Sequence, residues 1–174
     1  MENHVRSRAV TAALVLWGGL AAAEPFDATV ETSAGDRVQL KALWTKPTVL
    51  FYEDRDSTKL NQHVKDALFA RGKERGLLDA VNVVAVANVA KYDWFPARTF
   101  VLAAVKDAEA QFHVPVYCDF KGDLARAPWS LPTRTSTVVV LSTAGVPVVI
   151  FKGRLADDEL AKLFSTLEGL VAAR

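Results

Sequence analysis

Short apolar runs typical of buried strands alternate along this chain with segments whose apolar residues recur at helical spacing. The runs at residues 48–52 and 81–89 are uncharged and rich in β-branched or aromatic residues, the pattern of strands covered on both faces. Between them, Leu60, Val64 and Leu68 recur at intervals of four. Consecutive strands separated by a helix need a crossover and lie parallel in one sheet. The alternation therefore predicts an α/β fold with a partly parallel sheet.

Two hairpins are expected to add antiparallel strands to this sheet. Turn-forming residues separate the runs of each pair, which are residues 26–32 with 37–43 and residues 137–141 with 146–152. A short strand is expected at residues 115–119, followed by a connection over residues 121–135. The result is a mixed sheet flanked by helices, with an N-terminal β-hairpin.

Three helices are predicted from their start signals. Asp56 and Ser57 are good N-cap residues for the first helix. Pro96 is suited to open a second helix that runs to about residue 112. The third is expected from Asp157 to about residue 171.

The first 23 residues have the pattern of a secretory signal peptide. Arg6 and Arg8 precede an uncharged apolar run at residues 9–23, which ends in three alanines. We expect cleavage after Ala23, a single domain at residues 24–174 and a periplasmic location. Contact with a membrane is then expected only through the signal peptide during export.

The composition of the chain excludes several classes of function. The chain has 174 residues, a formal net charge of +1 and one cysteine, Cys118. A nearly neutral chain lacks the basic surface that a general nucleic-acid binder needs, so no nucleic-acid partner is expected. One cysteine excludes an intramolecular disulfide, a two-cysteine redox cycle within the chain and a structural zinc site built on several cysteines.

Two segments sharpen the interpretation of the fold. The sequence TVLFYED at residues 48–54, with Asn61 downstream, and NVAKYDWFP at residues 88–96 resemble the YtfJ family of exported proteins. Together with the order of strands and helices, they resemble the redoxin branch of the thioredoxin superfamily from about Phe26 to Leu170.

The resemblance also implies what the chain has lost. Thioredoxins carry a Cys-x-x-Cys pair at the start of their first long helix, where the helix dipole stabilises a thiolate. Here the corresponding residues 53–59, EDRDSTK, contain no sulfur, and Ser136 with Thr137 stands where active relatives have a cis-proline. The resemblance therefore implies a binding or accessory protein of the cell envelope without catalytic cysteines. No cofactor or metal is predicted, and the expected partner is a protein or peptide in the periplasm.

The predicted binding surface lies at the carboxyl ends of the strands, where α/β folds usually bind ligands. An exposed aromatic patch near Trp94 is expected if this surface binds a partner, although loop tryptophans such as Trp44, Trp94 and Trp129 more often close the ends of a core. The predicted surface residues are Glu53, Asp54, Arg55, Asp56, Ser57, Trp94, Pro96, Ser136 and Thr137.

Two enzymatic alternatives remain open. Asp54 and Asp56 followed by Thr58 fit the Asp-x-Asp-x-Thr pattern of metal-dependent phosphatases, with Ser142–Thr143 and Asp157–Asp158 as later motifs. The short spacing of those later motifs opposes this hypothesis, because no helix and strand fit between them. His63 could join the acids in a metal site, but a lone histidine on a helix is more often structural.

The other alternative is a single-cysteine redox protein that uses Cys118. It requires an exposed thiol with a lowered pKa. The simpler interpretation is that Cys118 is a small packing residue at the end of a strand.

Overall fold

The computed structural model describes residues 24–74 and 76–173, so the predicted signal peptide lies outside the described residues. The strands are β1 (Thr29–Glu31), β2 (Arg37–Gln39), β3 (Thr48–Glu53), β4 (Asn82–Asn88), β5 (Val116–Asp119), β6 (Thr137–Leu141) and β7 (Pro147–Lys152). The α-helices are α1 (Gln62–Glu74), α2 (Leu77–Ala80), α3 (Ala97–Phe112) and α4 (Asp157–Ala172). Short 3-10 helices cover Leu40–Leu43 and Ala90–Tyr92.

The seven strands form one mixed sheet in the order β2-β1-β5-β4-β3-β6-β7. Strand β3 pairs with β4 in parallel and with β6 in antiparallel orientation. The β1–β2 and β6–β7 hairpins supply the two sheet edges. This arrangement confirms the predicted mixed α/β sheet with an N-terminal β-hairpin.

Strand β3 is central because both of its faces are buried. Val49 and Phe51 pack into a cluster with residues of α1 and α4, including Leu68. Leu50 and Tyr52 face the other side, where the N-terminal segment and the long connection before β6 cover them. Two covered faces explain why this strand lacks the apolar–polar alternation of a surface strand.

The first helix begins later than the sequence analysis predicted. Helix α1 starts at Gln62, and Asp56 with Ser57 belongs to a preceding turn rather than an N-cap. The reason is local competition: the Asp54 side chain accepts hydrogen bonds from the Ser57 hydroxyl and N–H, which closes a turn in place of the first helical turn. His63 is consequently the second residue of α1.

The second strand of the N-terminal hairpin is also shorter than predicted. Pairing with β1 ends at Gln39, where the chain turns into the 3-10 helix Leu40–Leu43. This turn carries Leu40 into the core, where it is fully buried. Helix α3, the β6–β7 hairpin and α4 lie where they were predicted.

The end of the sheet at which β3 begins is closed by a tryptophan. Trp44 is buried, and its Nε1 donates a 2.6 Å hydrogen bond to the Phe26 carbonyl. Gly145 lies against the indole with φ +75°, and a Cβ at this position would be 2.2 Å from Trp44 Cδ1. Trp44 is thus a core residue, as expected.

The part of the chain that the structure describes includes no helix with the length and apolarity needed to cross a membrane.

Candidate functional site

The carboxyl ends of β3 and β4 bring the predicted site residues to one edge of the sheet. The two strands are parallel, and Glu53 is the partner of Ala87 at this edge. Strand β6 runs in the opposite direction and begins here, with Thr137 opposite Tyr52. The turn after β3 and the loop after β4 are joined by a 3.8 Å ion pair between Asp56 Oδ2 and Lys91 Nζ. These segments form the candidate site edge.

A buried polar network lies directly beneath this edge. Ser136 Oγ donates a 2.7 Å hydrogen bond to Glu53 Oε1 and accepts one of 2.9 Å from Asn61 Nδ2. Lys65 Nζ donates to Glu53 Oε2 at 2.6 Å. Burial raises the pKa of Glu53, although Lys65 and Ser136 act in the opposite direction. The network therefore holds a carboxyl group in a protein interior, where an unpaired charge is costly.

Asn61 connects this network to the turn before α4. Its Nδ2 also donates to the Gly153 carbonyl at 2.7 Å, and its Oδ1 accepts from the Leu155 N–H at 2.9 Å. The Asn61 side chain thus supplies hydrogen-bond partners for two backbone groups that lie more than 90 positions away in sequence. Sequence analysis noted Asn61 only as part of the resemblance, and no local signal indicates this role.

Asp54 is occupied by its own turn. Its Oδ1 accepts hydrogen bonds from the Ser57 hydroxyl and from the N–H groups of Asp56 and Ser57, and its Oδ2 accepts from the Arg134 N–H at 2.8 Å. Burial opposes ionisation, but the hydrogen bonds from Ser57 and Arg134 outweigh it and lower the pKa of Asp54. This carboxylate is a structural acceptor that closes the turn.

The phosphatase alternative is wrong for this geometry. Both oxygens of the proposed nucleophile Asp54 are committed, and the Asp56 side chain points to solvent with 72% of its surface exposed. Ser142 follows the end of β6 that lies opposite Thr48, at the far end of β3 from Asp54. Across residues 24–74 and 76–173, no three histidine, cysteine or acidic side chains are grouped so that they could hold a metal ion.

His63 does not join the acidic turn. Its Nε2 lies 3.0 Å from the Leu155 carbonyl, so the ring contacts the segment that leads into α4. The histidine therefore belongs to the packing between α1 and that segment.

Cys118 is buried within the sheet. It is fully buried in β5 and packs with Val89, Val105 and Phe120. Burial raises the pKa of its thiol to about 12, and the carboxylates of Glu31 and Glu109 act in the same direction. Both acids lie outside β5, Glu31 in β1 and Glu109 in α3. These observations contradict the single-cysteine redox alternative, which requires an exposed thiol with a lowered pKa.

The peptide bond before Ser136 differs from the cis-proline platform of active relatives. The described residues contain two cis peptide bonds, Phe95–Pro96 and Ala127–Pro128, and neither precedes Ser136. In place of a cis-proline, the chain has a serine here, and its hydroxyl bonds Glu53 and Asn61 beneath the candidate site edge.

The predicted surface residues separate into an exposed and a buried group. Arg55, Asp56, Trp94 and Pro96 are exposed. The buried ones form the support beneath them and are Glu53, Asp54, Ser57, Ser136 and Thr137.

Two exposed rings beside Trp94 were not identified from the sequence. Phe95 is 87% exposed and Phe100 is 71% exposed, while Trp94 itself is 59% exposed. Three exposed rings therefore lie within seven positions of the chain, where the sequence predicted exposure only near Trp94. We call Trp94, Phe95 and Phe100 the aromatic tip.

An ion network anchors the loop that carries the aromatic tip. Asp93 accepts a 2.5 Å hydrogen bond from Arg98 and a 2.6 Å one from Lys121. The Arg98 guanidinium also bonds Glu31 and lies 4.0 Å from the centre of the Phe120 ring. These contacts fix the start of α3 against β1 and the segment after β5.

Comparison with known proteins gives the fold and not the family. No protein-family profile matches the chain, and no curated protein matches its sequence. Solved structures do match. An uncharacterized thioredoxin-like protein from Porphyromonas gingivalis has a TM-score of 0.63 at 19% identity, covering 86% of this chain and 93% of that one.

Two further structures are similar over nearly the same span. A protein assigned as a thiol:disulfide interchange protein DsbE from Chlorobium tepidum has a TM-score of 0.60 at 15% identity, covering 86% of this chain and 96% of that one. One assigned as a protein disulfide isomerase from Bacteroides thetaiotaomicron has a TM-score of 0.59 at 14% identity, covering 85% and 87%. The chain therefore has the thioredoxin-like fold.

Proposed function

We propose that this chain is an exported thioredoxin-like domain that acts in the cell envelope as a binding or accessory protein and performs no disulfide chemistry. The observation that carries this proposal is the chemistry of the site edge. The turn where thioredoxins carry two cysteines holds a hydrogen-bonded carboxylate, Asp54, and the single thiol, Cys118, is buried elsewhere. Without an accessible thiolate there is no nucleophile for disulfide exchange.

Several features support export and membership of the YtfJ-like family, both of which belong to this proposal. The pattern at residues 1–23 is that of a cleaved secretory signal, and the motifs at residues 48–54 and 88–96 are similar to the family. A periplasmic location also agrees with the absence of a reactive thiol, because oxidising compartments tend to pair or discard them.

The proposed partner is a protein or peptide that contacts the exposed turn after β3. Arg55 and Asp56 project from this turn, while Asp54 and Ser57 hold its backbone. A rigid turn loses little conformational entropy on binding, which favours a specific contact. Trp94 and Pro96 border the same surface.

Site-specific photo-crosslinking in the producing cells tests the binding role. A crosslinker at Arg55 or Asp56 is expected to give a discrete protein adduct, and one at Thr143, in the turn at the opposite end of the sheet, is expected to give none. The same pattern must persist in Cys118→Ala. Equal labelling from all positions would contradict the proposed surface, and disulfide exchange activity that disappears in Cys118→Ala would contradict the non-catalytic role.

A further inference from the structure

We propose that the aromatic tip, formed by Trp94, Phe95 and Phe100, binds the surface of an anionic phospholipid bilayer. This inference goes beyond the proposed function, because it assigns a lipid surface to the rings and leaves the partner contact to the turn at Arg55 and Asp56. It also gives the folded domain a membrane contact that does not depend on the signal peptide.

The exposure of the rings indicates an occupant that surrounds them. Phe95 is 87% exposed, so its own chain covers almost none of the ring. Clefts of about 230 and 350 Å³ lie beside β1, and neither is lined by a residue of the aromatic tip. Peptides usually bind in grooves or along sheet edges, whereas aromatic side chains that project from a surface are typical of the interface between lipid and water.

The tip can leave water at little polar cost. The Trp94 Nε1 donates a 3.2 Å hydrogen bond to the Lys91 carbonyl, so its polar group has a partner within the protein. The Arg98 N–H donates to the Trp94 carbonyl and the Thr99 N–H to the Pro96 carbonyl, both at 3.0 Å. These groups of Trp94 and Pro96 would therefore keep their partners when water is excluded, which avoids part of the penalty for burying unpaired polar groups.

Positive charge beside the tip complements anionic headgroups. Lys91 and Lys121 are exposed beside the loop at residues 93–96, where Lys91 pairs with Asp56 and Lys121 with Asp93. Arg55 is exposed in the turn after β3 and Arg134 in the connection before β6, and neither forms an ion pair with any residue that the structure describes. Lys91 is thus offset by Asp56, whereas Asp93 is shared by two cations, so the excess positive charge lies with Arg55, Arg134 and the second cation at Asp93. Cations near an anionic bilayer strengthen binding, so charge complementarity favours a phospholipid surface that carries negative charge.

The test is binding to vesicles of phosphatidylcholine with and without phosphatidylglycerol. All variants are purified in the form that the cells export, with the N-terminus identified by mass spectrometry, so that every protein carries the same N-terminal segment. Brominated lipids are expected to quench the emission of Trp94, which is assigned by its loss in Trp94→Phe. Quenching is expected with phosphatidylglycerol vesicles and is expected to weaken in high salt.

Two variants and a matched control separate the tip from the rest of the domain. Phe95→Ala and Phe100→Ala are each expected to weaken vesicle affinity roughly tenfold, because each removes a ring that the bilayer would bury. Phe112→Ala is the control, since this ring is 55% exposed at the other end of α3 and is expected to have no effect. Lys91→Glu is expected to lower affinity only for vesicles with phosphatidylglycerol.

Three results would overturn the lipid proposal. They are unquenched Trp94 emission, equal affinity of Phe95→Ala and Phe112→Ala, and equal binding to both kinds of vesicle. None of them would affect crosslinking from Arg55 or Asp56, so the proposed function is tested separately.

Discussion

Ser136 Oγ and Glu53 Oε1 are joined by a 2.7 Å hydrogen bond between two side chains that are 83 positions apart in sequence. The bond ties the start of β6 to the end of β3 in a place shielded from solvent. Because the Ser136 hydroxyl also accepts from Asn61, one oxygen serves three segments of the chain. The rigidity of the candidate site edge therefore depends on a small polar network rather than on apolar packing alone.

Removing the Ser136 hydroxyl is expected to destabilise the domain. Ser136→Ala leaves Glu53 Oε1 and Asn61 Nδ2 each short of a buried partner, which costs about 1–3 kcal/mol of the free energy of unfolding. Urea denaturation measures this change. Ser165→Ala is the matched control, because its hydroxyl is exposed on α4 and bonds only the Lys162 carbonyl. Equal losses in the two variants would contradict a structural role for the network.

Glu53 is expected to make the domain less stable as pH rises above the usual carboxyl range. Burial raises its pKa from the ordinary 4.5 in the folded state. Between pH 4.5 and the raised pKa of the folded state, the folded protein binds more protons than the unfolded chain. The free energy of unfolding therefore falls as pH increases through this range. Glu53→Gln removes this titration and is expected to flatten that part of the profile. A profile that keeps its slope in Glu53→Gln would assign the effect to another group.

Asp54 is expected to make the domain less stable as pH falls, which is the opposite of the effect of Glu53. Although burial opposes its ionisation, the hydrogen bonds from Ser57 and Arg134 lower its pKa from the ordinary 3.8. Its contribution to stability is therefore present above pH 3.8 and is lost as pH falls through the folded-state pKa. Thermal unfolding at graded acid pH is expected to show a smaller loss in Asp54→Asn than in the unsubstituted chain. An identical acid loss in both proteins would show that the turn does not depend on this charge.

The thiol of Cys118 is expected to resist alkylation in the folded protein. It is fully buried, and its pKa of about 12 leaves almost no thiolate near neutral pH. Iodoacetamide labelling followed by mass spectrometry is expected to modify Cys118 only after denaturation. In a Cys118→Ala/Thr143→Cys variant, the thiol lies on an exposed turn and is expected to react in the folded state. Rapid native labelling of Cys118 would return the redox alternative to consideration.

Gly145 is expected to tolerate alanine much less well than Gly35 does. Both glycines have positive φ, +75° and +89°, so alanine strains the backbone at either position. Only at Gly145 does the new methyl group meet another residue, since a Cβ at Gly35 would have no heavy atom within 4 Å beyond its own chain neighbours. We expect Gly145→Ala to cost about 2 kcal/mol more than Gly35→Ala, because Trp44 must leave its site. Similar denaturation midpoints would show that the indole can move freely.

The central sheet could be predicted because its strands carry their own signals. An uncharged run at residues 48–52 identifies β3 as buried on both faces, and Pro96 marks the start of α3. The start of α1 could not be predicted, because aspartate and serine favour N-caps and closed turns through the same hydrogen bonds. The closed turn also binds the Arg134 N–H through Asp54 Oδ2, a partner 80 positions away that no local pattern indicates.

The predicted surface residues meet at one edge of the sheet, but about half of them are buried rather than exposed. Sequence analysis placed Glu53 and Ser136 on the surface, since polar residues at strand ends are usually solvated. The structure buries both, because each finds the other as a partner. Phe95 was not identified because aromatic residues usually pack in cores, and nothing local indicates that this ring projects from the loop. Exposure is a property of the assembled chain in both cases.

The two neighbours of β3 become available at very different times during synthesis. Thr48 pairs with Asn82 on one side and with Leu141 on the other, and α4 closes the core still later with Leu163 and Leu167. A chain that emerges from its N-terminus therefore keeps its central strand half-paired until most of the polypeptide exists. The sheet and its core are therefore completed only by the last third of the chain, because β6 and α4 both lie there.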